Sequence, residues 1–338
     1  MARVRCATLS RVTRRPLLRT LWPALRRGPG EVQFGTAAEH AVVVGGLSEA
    51  EIAGLEGLDG TREVPLALTT GTGADLLEEL LACGLVCEAA PASPVPPVVR
   101  GVLAADADAL VRTSSPPTHG YAALAARRAA HVIVAGRGDL PAAVTTALRR
   151  AGIGRVSQGR GPADDWEHAA SSGRRDVPAP SVVVLPAAGA LDPAAAHPWR
   201  RRGIPVLPVL MHDVEAVVGP LVVAGGPCLR CLDLTRSDLD PAWPALLGQL
   251  TRPAVGAGRE IGGETTLVGV AAGMAAMVVL GVVDGQPLPT GRSLEVGLPW
   301  PRVRQRRWGI HPRCSCAVQV TYDPPADANG AGQVRMAG

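Results

Sequence analysis

The sequence predicts an α/β chain in two parts: a small N-terminal winged-helix-like element, then a larger doubly wound domain with a structural zinc site. Three observations predict it. Apolar strand-like runs alternate with helical segments in the second two-thirds of the chain. A proline-rich stretch from Pro91 to Pro97 separates that region from a smaller one. Four cysteines stand in two tight pairs, Cys228/Cys231 and Cys314/Cys316, more than 80 residues apart.

Composition supports folded domains. The 338 residues are 47% hydrophobic and 19% charged, a globular balance, and the length accommodates two ordinary cores. Every basic residue is arginine. No P-loop or Schiff-base lysine therefore exists. The net charge of +4 is mild but uneven. Residues 1–30 carry eight arginines and no acid, whereas residues 31–90 carry eleven acids and Arg62 alone. The basic start reads as a disordered N-terminus over 1–30, with an organellar transit peptide as the alternative. Leu267 to Val283 is uncharged over 17 residues, the lower limit for a membrane span; its glycine and alanine content favours a buried helix. The expectation is a cytoplasmic protein without membrane or nucleic-acid partners.

In the acidic region, 31–90, Val32–Gly35 and Ala41–Val44 read as two strands. Ser48 with Glu51 is a capping box that opens a helix running to Leu58. A second helix is predicted from Ala74 to Cys83, with Leu76, Leu77, Leu80 and Leu81 at helical spacing, and Leu85-Val86 closes the unit. Strands, helices and a closing strand form a winged-helix pattern. DNA binding needs a basic face, which eleven acids against one base exclude. An extended peptide added to the sheet edge suits this element better. Cys83 and Cys87 read as ordinary residues. Residues 91–98 form the linker.

The second domain, 99–322, opens with a buried strand, His131–Ala135, then Gly136-Arg137-Gly138 and a helix from Pro141 to Arg150. Gly154–Ser157, Ser181–Leu185 and Ile204–Leu210 continue the alternation, which predicts a doubly wound, mainly parallel sheet. Gly219–Gly226 reads as a strand delivering the chain to Cys228. The tail, 323–338, is polar, glycine-rich and predicted disordered.

The cysteine pairs carry the chemistry. Tetrahedral zinc takes four thiolates at about 2.3 Å, and a closed set of four is structural because no position stays open for a reactant. Cys228, Cys231, Cys314 and Cys316 are the candidate ligands. Disulfides and unlinked thiols are the competing readings; disulfides suit secreted chains, and no secretory signal is visible. His311 is a partner behind the sulfurs, an alternative ligand if one sulfur of the second pair is unused, or a surface histidine. Trp243 and Trp308 flank the pairs and are expected to pack over the metal. Arg304, Arg306 and Arg307 read as a solvated face. Gly269 and Gly273, at G-x-x-x-G spacing, permit close helix contact, inside the chain or in a homodimer.

Gly219-Pro220-Leu221-Val222, Gly226-Pro227-Cys228-Leu229-Arg230-Cys231, the helix from Thr266 to Leu280 and His311-Pro312-Arg313-Cys314-Ser315-Cys316 together resemble the ThiF-type fold. That fold, with its Rossmann-like core, serves ubiquitin-activating and sulfur-carrier-activating enzymes. Cys231-Leu232-Asp233-Leu234-Thr235-Arg236 through Asp240-Pro241-Ala242-Trp243-Pro244 is similar to the branch associated with thiazole/oxazole-modified microcins (TOMMs), the bacteriocin cyclodehydratase and leader-peptide-binding proteins. The resemblance implies an N-terminal winged helix that binds a precursor leader peptide and a domain that docks a YcaO-type cyclodehydratase. It also implies an alternative, ATP-dependent adenylation of the C-terminal carboxylate of a ubiquitin-like or sulfur-carrier protein.

The adenylating pattern is worn in this chain. Gly136 and Gly138 remain from the nucleotide turn, but proline (Pro141) stands at its third glycine. Gln158-Gly159 stands where a ribose-binding acid belongs, and Asp164 and Asp165 lack companions. Asp192 reads as a helix cap rather than a magnesium ligand. No cysteine lies between Cys231 and Cys314 to form a thioester.

Overall fold

A computed structural model describes residues 15–19, 23–36, 41–88, 101–113, 120–159, 165–166, 168, 179–252 and 260–316. The predicted linker and tail therefore lie outside the described residues. The chain divides into two compact units: 1–130 with 149–155 and 283–286, and 131–148 with 156–282 and 287–338.

In the first unit, β2 (Leu25–Gly28), β3 (Glu31–Phe34) and β4 (Val42–Gly45) form an antiparallel sheet in that order. Val32 and Phe34 alternate inward, as a half-buried strand requires, and are fully buried. Helix α1 (Glu49–Glu56) begins at the expected capping box. Glu51 N–H donates to Ser48 Oγ at 3.3 Å, and Ser48 N–H to Glu51 Oε2 at 2.8 Å. Helix α2 (Gly71–Ala82) buries Leu76, Leu77 and Leu80 in the same core as Ile52 and Leu55. The closing strand β5 (Val86–Glu88) pairs not with the three-stranded sheet but with β1 (Pro16–Leu18). Residues 16–18 and 25–28 are thus strands, which corrects the expectation of disorder across 1–30; residues 1–14 lie outside the described set. Cys83 is exposed and Cys87 half-buried.

Helices α3 (Ala104–Thr113) and α4 (Gly120–Ala129) pack through Leu103, Ala107, Leu110 and Leu124. A buried cation ties this pair. Arg127 donates from Nε and Nη2 to Asp284 at 2.8 and 2.7 Å, and from Nη1 to Asp106 and the Ala151 carbonyl at 3.0 Å each. The Arg127 and Asp284 side chains are 6% and 5% exposed.

The second unit is built on a seven-stranded sheet of order β12-β11-β10-β9-β8-β6-β7. Strands β6 (His131–Val134), β8 (Val182–Ala188) and β9 (Val206–Met211) pair in parallel. Their near-continuous apolar runs are buried, as parallel strands covered on both faces require. Helix α5 (Asp139–Arg150) follows β6, and β7 spans Arg155–Gln158. Beyond β9 the sheet turns antiparallel through β10 (Glu215–Val218), β11 (Arg292–Gly297) and β12 (Arg302–Arg307). The sheet is therefore mixed, not mainly parallel. The Gly219–Gly226 segment is no strand: it leaves β10 at a cis Gly219–Pro220 bond and keeps a single bridge, Val222 to Val206.

Asp192 caps the turn at Pro193–Ala196, accepting from Ala194 N–H at 2.8 Å, and a short helix α6 (His197–Arg200) follows. Helices α7 (Leu229–Leu239), α8 (Trp243–Leu250) and α9 (Thr265–Val283) complete the unit. By length and composition α9 could cross a membrane, yet Leu267, Val268, Ala271, Ala272, Ala275, Ala276 and Val279 are buried. Gly269 and Gly273 lie on its other side, facing open space.

Arg127→Ala leaves two carboxylates without their cation, one of them buried. Unfolding in denaturant should show the first unit weakened by about 3–5 kcal/mol.

Candidate metal centre and the occupied glycine turn

Cys228 is the N-cap of α7, with extended backbone (φ −94°, ψ 171°), and Cys231 is the helix's third residue. Two thiolates at a helix N-terminus meet the positive end of its dipole. The second pair arrives on a turn after β12, in which Cys314 N–H donates to the His311 carbonyl at 2.9 Å. The four sulfurs converge. Cys228 lies 3.7 Å from Cys231, 3.6 Å from Cys314 and 3.7 Å from Cys316, and Cys231 lies 3.2 Å from Cys316. All four lie within 4.8 Å of one another and are buried.

This geometry separates the two chemical readings. A disulfide needs about 2.05 Å between sulfurs, and the closest pair is far outside that. Four thiolates about 2.3 Å from one ion sit roughly 3.8 Å apart along the tetrahedron's edges, close to the spacings here. Burial pushes the Cys228 and Cys316 thiols up, and the neighbouring sulfurs raise Cys316 further. Burial also raises Cys231, but backbone N–H groups of His311 and Cys228 outweigh it. Four sulfurs in one dry cluster cannot all ionise without a cation among them. A metal ion fits the site the residues build.

The surroundings hold this cluster. The cysteines share a core with Ile133, Val183, Leu185 and Val206 of the sheet and with Trp199 and Trp308. The predicted packing of Trp308 beside the cysteines is present, and its indole N–H donates to Ser293 at 2.9 Å. Gly291 makes room for it: with φ +64°, a Cβ there would lie 2.4 Å from the Trp308 carbonyl. Trp243 sits one step away, donating to Asp233 at 3.0 Å. Arg236 bridges the two indoles, 5.0 Å from Trp243 and 5.2 Å from Trp308, while bonding Asp233 at 3.1 Å. Burial pushes the Asp233 carboxyl up, against the pull of Arg236 and the Trp243 N–H.

His311 is neither a surface residue nor a ligand. Its Nδ1 accepts from Arg313 N–H at 3.1 Å, so Nε2 carries the proton and donates to Asp238 of α7 at 2.8 Å. Arg313 also pairs with Asp238. The second cysteine turn is thereby tied to the helix that carries the first pair. Sequence reasoning missed Asp238 and Arg236; their spacing from Cys231 along α7 was the available signal. Arg304, Arg306 and Arg307 lie on the exposed edge strand β12, as expected, with Arg304 paired to Glu215 at 2.9 Å.

Gly136 and Gly138 follow β6 at the carboxyl ends of the parallel strands, where open α/β sheets bind ligands. The chain's own backbone fills this position. Ile261 N–H donates to the Arg137 carbonyl at 2.7 Å, and the Ile261 carbonyl accepts from Leu140 N–H at 3.0 Å. A Cβ on Gly138 would lie 2.6 Å from Ile261 N and O; Gly263 lies against Met211 at the end of β9, and Leu250 against Gly189 after β8.

No protein-family model and no curated protein sequence matches the chain. Solved structures do. MccB of E. coli with AMPCPP and MccA shares 14% identity over 89% of this chain and 99% of its own, at a TM-score of 0.58. A heterocyclase in complex with substrate and cofactor shares 16% identity over 90% of this chain, at 0.59. The heterocyclase TruD shares 15% over 90%, at 0.58. The fold is theirs. The likeness is one of fold, and that fold is the kind of α/β architecture the sequence resemblance implies. The chain spans nearly all of MccB but only 39% and 42% of the two heterocyclase chains.

Elemental analysis of the purified chain should give close to one metal ion per molecule. Cys228→Ser with Cys316→Ser should release it and lower the melting temperature of the second unit, because metal-binding energy is folding energy here.

Proposed function

We propose that the chain is a zinc-containing ThiF-type partner protein of thiazole/oxazole-modified peptide biosynthesis. It binds a precursor leader peptide and presents it to a YcaO-type cyclodehydratase in the cytoplasm. The observation that carries this reading is the occupied glycine turn. Ile261 takes the backbone N–H at the start of α5, a group that a nucleotide phosphate would otherwise use. Recognition is what this leaves for the protein to supply.

Zinc is the ion proposed for the cysteine cluster, since four buried thiolates in tetrahedral array select it or an iron–sulfur centre. The ion would hold α7 to the turn at Cys314 and leave no open position, so it supplies structure and no chemistry. The N-terminal unit, read as a winged helix, offers β4 as the peptide edge. It is the last strand of its sheet, and Val42 and Val43 are 38% and 44% exposed there. An extended peptide adds to such an edge through main-chain hydrogen bonds. The heterocyclase structures, one of them bound to substrate, support a role beside that chemistry.

A second reading is favoured by one specific observation. The chain matches MccB almost end to end, and MccB has been seen with AMPCPP and MccA. That reading is an ATP-dependent adenylyltransferase acting on the C-terminal carboxylate of a ubiquitin-like or sulfur-carrier protein.

Two measurements decide. Successive N–H groups alternate between the two edges of a strand, so either Val42→Pro or Val43→Pro removes an outward-facing donor. One of the two should abolish binding of a labelled leader peptide while far-UV circular dichroism is unchanged. ATP–pyrophosphate exchange should be at background with peptide present; robust exchange would establish the adenylyltransferase instead.

A further inference from the structure

Beside the cysteine cluster lies a cavity of about 630 Å³ whose wall carries His197, Arg200, Arg201, Arg230 and Ser315. Among the described residues no acidic side chain lines it. Three other arginines have carboxylate partners, Arg236 with Asp233, Arg313 with Asp238 and Arg304 with Glu215, and Arg306 stacks on Trp308 at 4.8 Å. Arg200, Arg201 and Arg230 have no such carboxylate among the described residues. Arg201 and Arg230 are exposed and Arg200 is half-buried. Three guanidinium groups on one wall repel one another, and the repulsion is relieved by an anion placed between them.

The cysteine cluster is the first candidate for that anion. A divalent ion held by four thiolates carries a formal charge of roughly −2. Cys228, Cys314 and Cys316 line the same cavity, but the four cysteines are only 0–5% exposed and present little of that charge to it, while two of the three arginines open to solvent. The charge left over in the cavity is positive.

We infer that this cavity binds a compact polyanion, a phosphate ester or a polycarboxylate of small-molecule size. The volume falls within the roughly 300–1,000 Å³ of small-ligand sites. Arginine forks match phosphate and carboxylate oxygens two at a time. The Ser315 hydroxyl and the His197 ring add hydrogen-bonding groups at the same wall. The site is distinct from the glycine turn, and it stands whether or not the chain binds a leader peptide.

The test is calorimetric titration of the metal-loaded full chain with inorganic pyrophosphate and, separately, with citrate, at low and high salt. Saturable one-site binding of either, weakened by salt, is expected; the ligand that binds more tightly identifies the oxyanion class. Arg201→Gln with Arg230→Gln should weaken it by about tenfold or more. Arg304→Gln, which removes the same kind of charge from β12, should leave it unchanged, and metal content should be equal in all three proteins. Absence of binding by both ligands up to about 10 mM would overturn the inference. So would equal weakening by Arg304→Gln. Loss of metal from the cavity variants would assign the arginines to the cluster instead, and overturn it too.

Discussion

Four sulfurs in the core of the second unit are the constraint on which its architecture depends. They join the start of α7 to a turn 83 residues further on, from Cys231 to Cys314. Magnitudes show why this matters. Structural zinc contributes on the order of 10–16 kcal/mol in small metal-dependent domains, while a whole domain is stable by only about 5–15. A bound ion of that kind would be comparable to everything else in the unit combined. Cavity strain or a lost hydrogen bond, at about 1–3 kcal/mol, is minor beside it.

The neighbours of the cluster hold it in place. His311 fixes the second turn to Asp238 of α7, and Trp308 anchors to Ser293 on β11. Arg236 lies between two indoles while paired to Asp233. Each polar group thus has a partner that also belongs to the scaffold. A catalytic site would aim such groups at a shared point where a substrate atom sits, and these do not converge in that way. The side chains that do converge on an empty volume, Arg200, Arg201 and Arg230, carry charge suited to holding a ligand.

Legibility followed how local each interaction is. The capping box at Ser48 and Glu51 spans three residues, and the cysteine pairs span two and three, so their spacing alone foretold them. The buried strands β6, β8 and β9 announce themselves as unbroken valine, leucine and isoleucine runs. Strand β12 could not be read that way. Arg302-Val303-Arg304-Gln305-Arg306-Arg307 is exposed along its whole length and has no apolar alternation; only pairing with β11 makes it a strand. Strand β1 depends likewise on a strand far along the chain, β5, in register Pro16 to Glu88. Gly219–Gly226 failed in the opposite sense. Its Leu-Val-Val composition is strand-like, but Gly219 at φ +86° and the cis Pro220 turn the chain out of the sheet.

The glycine turn shows why a motif can be present while its usual ligand is displaced. Gly138 has φ +110°, a region closed to other residues, and any Cβ there would meet backbone atoms at 2.6 Å. Glycine is therefore required at this position by the chain itself. In nucleotide-binding relatives of this architecture the same requirement comes from a phosphate approaching the turn. A glycine records that something must come close to the backbone, and it is silent about what comes. Here the approaching group is Ile261, whose N–H and C=O satisfy Arg137 and Leu140 as a ligand's oxygens would satisfy only the donor. A peptide strand can pair with a carbonyl as well as an N–H; a phosphate, having no donor, cannot. With a phosphate in place of Ile261, the Arg137 carbonyl would lose the partner it has here.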